Sequence, residues 1–301
     1  MTHLSPRITL VIPNYNSGKV IARCLESIFS QNYPQLELIL ADGGSNDESI
    51  KICQHHRSRF NRFTSEPDSG ISEALNKAFN MATGDIFAWL AADDELAPGA
   101  LDHVTLIFAQ EPKVDVVTGG CRRYFPDDTN IETTPPEDLT KRIRFQNVIE
   151  QPSTFWRSAL HKKVGKLDSS LKLAFDWEFW CRFNKAKAQF KITPKILSHY
   201  HFSEDNLTSC SGDKIMKEMF KVVSRYGPYW GTTAYLYRFL FHVFDLHGCY
   251  DNPPTSTKRR QALFYSMLPT LYAIFGKTVV HGYNWSFVSR QMRNKKWYSS
   301  E

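Results

Sequence analysis

The chain has 301 residues, 42% of them hydrophobic and 23% charged, a composition that excludes collagen, coiled coil and intrinsic disorder. Its length suits a sizeable α/β domain with a smaller one appended. The net charge of +6 is modest, so no nucleic-acid partner is expected, but basic residues gather at Lys258 to Arg260 and at Arg293 to Lys296. Those two clusters favour an anionic surface or ligand near the C-terminus, with a solvated basic tail as the plainer reading.

From Ile8 to about Val117, short β-rich runs alternate with helical patterns, the signature of a parallel sheet with crossover helices. The run "ITLVI" (8–12) reads as a buried strand, "PNYNSG" breaks it, and Val20, Ile21, Cys24, Leu25, Ile28 and Phe29 recur on one helical face. Next come a strand "LELILA" (36–41), a loop "DGGSND", and a helix from Asp47 to about His56 entered through polar N-cap candidates. An extended piece at Arg62 to Ser65 leads to "EPDSG". A helix carrying Ala74, Leu75, Ala78, Phe79 and Ala82 follows, then the strand "IFAWLA" (86–91), which delivers Asp93 and Asp94. A helix from about Gly99 to Gln110 and the strand "VDVVTG" close this half.

The polar, Pro-containing stretch from Pro126 to about Asp138 reads as a loop. "STFWR" (153–157) reads as extended, Ser158 to Val164 as helix, and "DWEFWCRFNKA" as helix. A domain boundary is expected near residue 205, where long aromatic and basic segments begin; residues 206–301 are expected to form a helical extension. That extension could be membrane-interfacial or oligomerising, or could simply pack on the first domain.

Cys24, Cys53, Cys121, Cys181, Cys210 and Cys249 show no paired or zinc-type spacing, and read as reduced thiols of a cytoplasmic protein. No signal-peptide pattern opens the chain and no apolar run nears membrane-spanning length, which fits the same compartment.

Three polar clusters, "PNYN", "DGGSND" and "AADDE", each follow a strand, and ligands of open parallel sheets bind outside the strands' carboxyl ends. Asp42, followed by two glycines, could accept hydrogen bonds from a base or ribose, or could serve only an Asx turn. Tyr15 could stack on a base or pack in the core. No P-loop and no GxGxxG is present, so ATP hydrolysis and dinucleotide redox chemistry lack support. Asp93 and Asp94 suit a hard divalent cation, though acidic pairs are also common in surface turns.

Taken in order, "ITLVIPNYNSGKVIARCLESIFSQNYPQLELILADGGSNDES" and "SEPDSGISEALNKAFNMATGDIFAWLAADDELAPGAL" resemble the family-2 glycosyltransferases. The resemblance is strong over residues 7–125 and weaker through "QPSTFWRSAL" and "LAFDWEFWCRF" to about residue 205. It implies a GT-A fold, a Rossmann-like, mostly parallel sheet flanked by helices. It also implies inverting transfer of a sugar from a nucleotide diphosphate donor, UDP or dTDP rather than GDP, assisted by Mn2+ or Mg2+. A saccharide or lipid-linked saccharide would be the acceptor, in surface polysaccharide synthesis on the inner face of the membrane.

By that resemblance Pro13 and Tyr15 line the nucleobase, Asp42 binds base or ribose, and Asp68 with Asn76 or Lys77 lies near the donor. Asp94 is the metal ligand and Asp93 its supporting partner, while Ala91 departs from the family's polar residue. Asp176 occupies the slot of the general base, with Phe175 replacing the preceding acid and Glu178 as the alternative. A plain helix-start acid is the structural option for Asp176. Trp156, Trp177 and Trp180 could frame an acceptor or belong to the core, and His199 and His201, on one strand face, could touch diphosphate or metal or hold the strand edge. A non-catalytic sugar-nucleotide-binding protein and a sugar nucleotidyltransferase are the rival classes.

Overall fold

A computed structural model describes residues 5–203, 206–207 and 214–243, with short pieces between 266 and 276. The elements run β1 (Ile8–Asn14), α1 (Ile21–Phe29), β2 (Leu36–Asp42), α2 (Glu48–His55), β3 (Arg62–Ser65), α3 (Ile71–Met81), β4 (Ile86–Trp89) and β5 (Glu95–Leu96). They continue with α4 (Ala100–Gln110), β6 (Val116–Tyr124), β7 (Asn130–Thr133), α5 (Leu139–Arg142), β8 (Thr154–Arg157), α6 (Ser158–Val164), α7 (Phe175–Lys185), β9 (Phe190–His201), α8 (Lys214–Tyr226) and α9 (Thr232–Val243).

The strands form one sheet in the order β3-β2-β1-β4-β8-β6-β9-β5, with β7 on β6. Strands β3, β2, β1 and β4 are mutually parallel, as the βα alternation requires, and β6 and β9 are parallel as well. Strand β8 enters antiparallel to both β4 and β6, so the second half of the sheet is mixed.

All seven residues of β1 are buried, because helices cover both faces of the sheet. Ile8, Leu10 and Ile12 point toward α1 and α4, whereas Val11 points toward α3 and α7, by strand alternation. Where the sequence reads as loop between Pro126 and Asp138, residues Asn130–Thr133 instead pair antiparallel with β6. Asp128 makes the turn with a φ of 62°, and Arg122 meets Glu132 across the strands at 2.6 Å. Turn chemistry at Asp127 and Asp128 thus makes a hairpin of a segment whose composition looks irregular.

Asp47 caps α2 by accepting from the Ser49 N–H, as its position suggests. Beyond the boundary expected near residue 205, Ile215, Met219, Val222 and Val223 of α8 and Ala234 of α9 join the same core as α7. Among the described residues these helices therefore share the main core. Cys24, Cys53, Cys121 and Cys181 are free and buried. Cys210, Cys249 and the basic clusters at 258–260 and 293–296 lie outside the described residues. No described helix is long and apolar enough to cross a membrane.

Gly84 joins α3 to β4 where the chain crosses the start of β1. A Cβ there would lie 2.6 Å from Thr9 Oγ1, 2.7 Å from Thr9 N and 2.9 Å from the Arg7 carbonyl. Backbone atoms cannot rotate away, so Gly84→Ala should cost about 2 kcal/mol. Urea denaturation with an unchanged slope checks this, and a loss below about 0.5 kcal/mol would show that the strand start yields.

Candidate active site

Parallel pairing sets Asn14 opposite Asp42 and Val11 opposite Trp89. The segments after β1, β2 and β4 therefore emerge at one rim. Two of them interlock. Asn16 N donates to Ser45 Oγ at 2.9 Å, Asn46 N donates to Asn16 Oδ1 at 2.9 Å, and Gly18 N donates to Asp47 Oδ2 at 2.7 Å.

Asp42 is 2% exposed. It accepts from Asn14 Nδ2 at 2.6 Å, Ser65 Oγ at 2.6 Å, Gly44 N at 3.1 Å and Ser45 N at 3.0 Å. Burial alone would raise its pKa, but hydrogen bonds from Ser45, Ser65 and Asn14 outweigh burial and hold it below the ordinary carboxylate value. The Asx-turn role is thus realised. Asn14, 3% exposed, is the residue that sequence reasoning passed over inside "PNYN". Its amide also reaches Ser49 Oγ at 3.1 Å, which ties β1 to the start of α2.

Pro13 is buried near the end of β1, while Tyr15, just past the strand, stands 68% exposed at the rim, which overturns core packing for that ring. A Cβ on Gly43 would sit 2.7 Å from Asp68 Oδ2, so the glycine lets the "EPDSG" loop close against the β2 loop. Asp68 also accepts from Gly70 N at 2.7 Å. Lys77 faces the same loop, paired with Glu66 at 3.0 Å and Glu73 at 3.1 Å. Asn76 does not: its side chain donates to the Leu167 carbonyl at 3.0 Å and accepts from Leu167 N at 2.9 Å. The amide of Asn76 is committed to anchoring the segment ahead of α7, which corrects its expected place by the donor.

The acidic loop is the electrostatic centre of the rim. Asp94 is 2% exposed, and its Oδ1 is buried without a hydrogen-bond partner. Burial first, then the charges of Asp93, Glu150 and Glu95, push its pKa well above the ordinary value, against a lowering by Arg23. The neighbouring acids are otherwise engaged. Asp93 Oδ2 accepts from Asn206 Nδ2 at 2.6 Å, Glu95 binds Arg23 at 2.7 Å and His201 at 2.6 Å, and Glu150 binds Arg123 at 2.7 Å.

Glu95 and Leu96 form the short β5 against β9, pairing Glu95 with His199. His201 stacks on Tyr124 with ring centroids 4.8 Å apart. Both histidines thus line the acidic loop, and His201 is engaged by Glu95. Among the described residues no three His, Cys, Asp or Glu side chains cluster to hold a metal ion. An orphaned buried carboxylate in an acidic surround still fits a hard cation that keeps water and phosphate oxygens in its shell.

Asp176 lies in the first turn of α7, partly buried, and accepts from Asn147 Nδ2 at 3.0 Å. Burial raises its pKa to about 6, and the hydrogen bonds from Trp177 N and Asn147 only partly offset that rise. Glu178 and Trp177 are corrected by the structure. Glu178 is 3% exposed and bound by Tyr226 Oη at 2.6 Å and Arg182 Nε at 3.0 Å. Trp177 is 1% exposed, with Nε1 donating to the Ile143 carbonyl. Helix α7 is covered by the sheet on one side and α8 on the other, so these side chains cannot meet an acceptor. Trp156 and Trp180 are wholly buried, and Trp180 stacks on Trp89 at 5.4 Å, which settles the tryptophans as core.

Known proteins resemble this chain in sequence and in fold. Residues 9–164 match the family described as glycosyl transferase family 2. A PGL/p-HBAD biosynthesis glycosyltransferase of Mycobacterium bovis is 28% identical over 58% of this chain and 68% of its own. An uncharacterized glycosyltransferase of Rickettsia typhi is 25% identical over 62% of this chain, and the match spans only 61% of that relative. The fold is similar to S. aureus TarS 1-349 in complex with UDP-GlcNAc, with TM-score 0.59 and 17% identity over 97% of this chain and 93% of that one. It is also similar to the Pyrobaculum calidifontis mannosyltransferase PcManGT in complex with GDP-Man and Mn2+, with TM-score 0.57 and 15% identity over 98% and 89%. The architecture is therefore of GT-A type.

The depressed pKa of Asp42 has a sign that can be measured. Its stabilising effect is present above the ordinary value of 3.8 and is lost as pH falls through the lower folded value. Asp42→Asn should destabilise the protein at neutral pH, and the gap from the parent should narrow below about pH 4. Urea denaturation across pH checks this; a gap independent of pH would show that the charge of Asp42 is not what its neighbours stabilise.

Proposed function

The chain belongs to glycosyl transferase family 2, and from that premise we propose an inverting transfer of a hexose from a nucleoside diphosphate sugar to a saccharide hydroxyl. The observation that carries this reading is Asp94 Oδ1, buried and unpartnered beside the interlocked loops of Asn14 and Asp42. A donor diphosphate brings negative charge to that rim, and a divalent cation is what would reconcile it with the acids already there.

Tyr15, exposed at the rim, offers a stacking face for a nucleobase, with Pro13 and Asp42 near the ends of the paired strands β1 and β2. The preference for UDP or dTDP over GDP is supported by the UDP-GlcNAc complex of the TarS neighbour, whereas the PcManGT neighbour binds GDP-Man. Asp68 and Lys77 lie on the adjoining loop, where Lys77 has Glu66 and Glu73 as resting partners. Asp94 would hold Mn2+ or Mg2+, with Asp93 supporting it, and the Mn2+ of the PcManGT neighbour supports that assignment. When bound, such an ion supplies Lewis-acid stabilisation of the leaving diphosphate.

The acceptor hydroxyl attacks the anomeric carbon as the carbon–oxygen bond to the diphosphate breaks, and Asp176 takes the hydroxyl proton. A group with a pKa of about 6 is ionised at neutral pH yet basic enough to accept it. Acceptor and leaving group on opposite faces give inversion with one base, and no second carboxylate is needed as nucleophile. A lipid-linked acceptor in surface polysaccharide synthesis accords with the exposed aromatics near α9: Trp230, 96% exposed, and Tyr235 and Phe239, 62% each. Such rings suit the headgroup level of a membrane's inner face.

A panel of nucleotide sugars, assayed for nucleoside diphosphate release with and without Mn2+, tests the reading. Release from none of them, with varied acceptors and a folded protein, would overturn it. Asp94→Ala should weaken Mn2+-dependent UDP binding in calorimetry while leaving binding without metal little changed; equal Mn2+ dependence in variant and parent would remove Asp94 as ligand.

For Asp176 the sign runs the other way from Asp42. Its folded pKa of about 6 lies above the ordinary 3.8, so its protonated form stabilises the fold at low pH. That contribution is lost as pH rises through about 6. Asp176→Asn should therefore be no less stable than the parent at neutral pH, while transfer falls by about 10²-fold or more. The parent's rate should rise through about pH 6 and then level. Parent-like transfer by the variant would exclude Asp176 as base.

A further inference from the structure

Helix α7 starts without a side-chain cap of its own: Ala174 stands at the N-cap position. The N–H groups ahead of it are instead collected from α8. Glu218 Oε1 accepts from Lys172 N at 2.8 Å, and Oε2 accepts from Leu173 N at 2.7 Å and Ala174 N at 2.9 Å. One carboxylate thus binds three consecutive backbone donors, a concave arrangement that favours an anion. Asp176 follows two residues later, with Asn147 holding its Oδ2 from the other side.

We propose that Glu218 is a positioning residue for Asp176, fixing the approach of α7 through the three N–H groups and placing a second negative charge beside the base. The proposal rests on the reading of Asp176 as base. Other polar links make α8 a firm support. Tyr226 Oη donates to Glu178 at 2.6 Å, Arg225 pairs with Asp168 at 2.8 Å, and Arg144 donates to the carbonyls of Tyr226 and Gly227 at 3.0 and 3.2 Å.

The charged groups around the base are accounted for in the same way. Glu178 is matched by Arg182, Asp168 by Arg225, Arg144 by the two carbonyls, and Lys172 Nζ by the Ser69 carbonyl. Glu218 is held by three N–H groups, and its charge acts on Asp176 in the direction of a higher pKa. Because Glu218 lies 42 residues beyond the base, nothing local in α7 reveals the link.

The test uses the full chain with 13C-labelled aspartate carboxyls, the Asp176 resonance being assigned by its absence in Asp176→Asn. In the parent that carboxyl should titrate near about 6. Glu218→Gln keeps one acceptor oxygen and removes the charge, so the midpoint should fall below the parent's while burial still holds it above 3.8. With the nucleotide sugar that the release assay identifies, Glu218→Ala should lower kcat on the order of 10-fold with donor KM unchanged. Glu218→Gln should restore most of that loss and carry the acid limb to lower pH.

An Asp176 midpoint unmoved in folded Glu218→Gln would overturn the proposal, as would a loss of activity with no movement of the acid limb, which a merely structural cap produces. If Glu218→Ala does not fold, the Gln variant decides alone. The titration needs no substrate, so its outcome stands apart from the base reading: transfer surviving in Asp176→Asn removes the base, whereas an unmoved midpoint removes only Glu218.

Discussion

Parallel pairing of β1 with β2 and β4 is the constraint on which the rim depends. Parallel strands must all finish at the same edge, so polar segments after each strand meet whatever their separation in sequence. The register that sets Asn14 beside Asp42 makes the first two loops share hydrogen bonds, from Asn16 N to Ser45 Oγ and from Gly18 N to Asp47 Oδ2. Gly43 extends the closure to the third loop, since only an absent side chain admits Asp68 at that distance. One backbone geometry thereby brings together groups that lie as far apart in the chain as Asn14 and Asp94.

The three carboxylates of the site differ in how their charge is met, and the differences are physical rather than positional. Asp42 is buried but saturated with donors, which keeps it ionised and rigid. Asp94 is equally buried yet has an orphaned oxygen and acidic neighbours, so its charge is unmet and its pKa is pushed well up. Asp176 has donors from Asn147 and its own helix, too few to cancel burial, which leaves it near the point where a proton can be exchanged. Environment thus gives three side chains of one chemical type three different states: a donor-saturated scaffold, a buried carboxylate with an unpartnered oxygen, and a carboxyl whose pKa is raised by burial.

Much of the fold was legible because its signals are local. Strand β1 reads as a continuous apolar run since both its faces are covered, and α1 and α3 show one-sided periodicity since only one face of each is. The rim was legible as loops of Asp, Asn and Gly after strands, and the family resemblance implied roles for positions there. What escaped was set by contacts distant in sequence. Nothing in "DWEFW" says that Trp177 and Glu178 turn inward, because a helix sandwiched between sheet and helix buries most of its circumference and shows only a narrow polar edge. Asn76 looks like a donor contact until its amide is found spanning 91 residues to Leu167. Strand β7 was hidden by composition, its pairing being supplied by β6 and an aspartate turn.

The same reasoning bears on where the catalytic unit ends. A shift in composition near residue 205 suggests a separate appendage, yet α8 buries Ile215, Met219, Val222 and Val223 against the helix that carries Asp176. Its polar side closes on α7 and the segment before it through Glu218, Tyr226 and Arg225. A helix that contributed only area could slide along its groove, since apolar contact is non-directional. Hydrogen bonds to three consecutive N–H groups and to Glu178 fix both its register and the orientation of α7. Residues that look like an addition in composition are, in mechanics, part of the support that orients the start of α7 and Asp176.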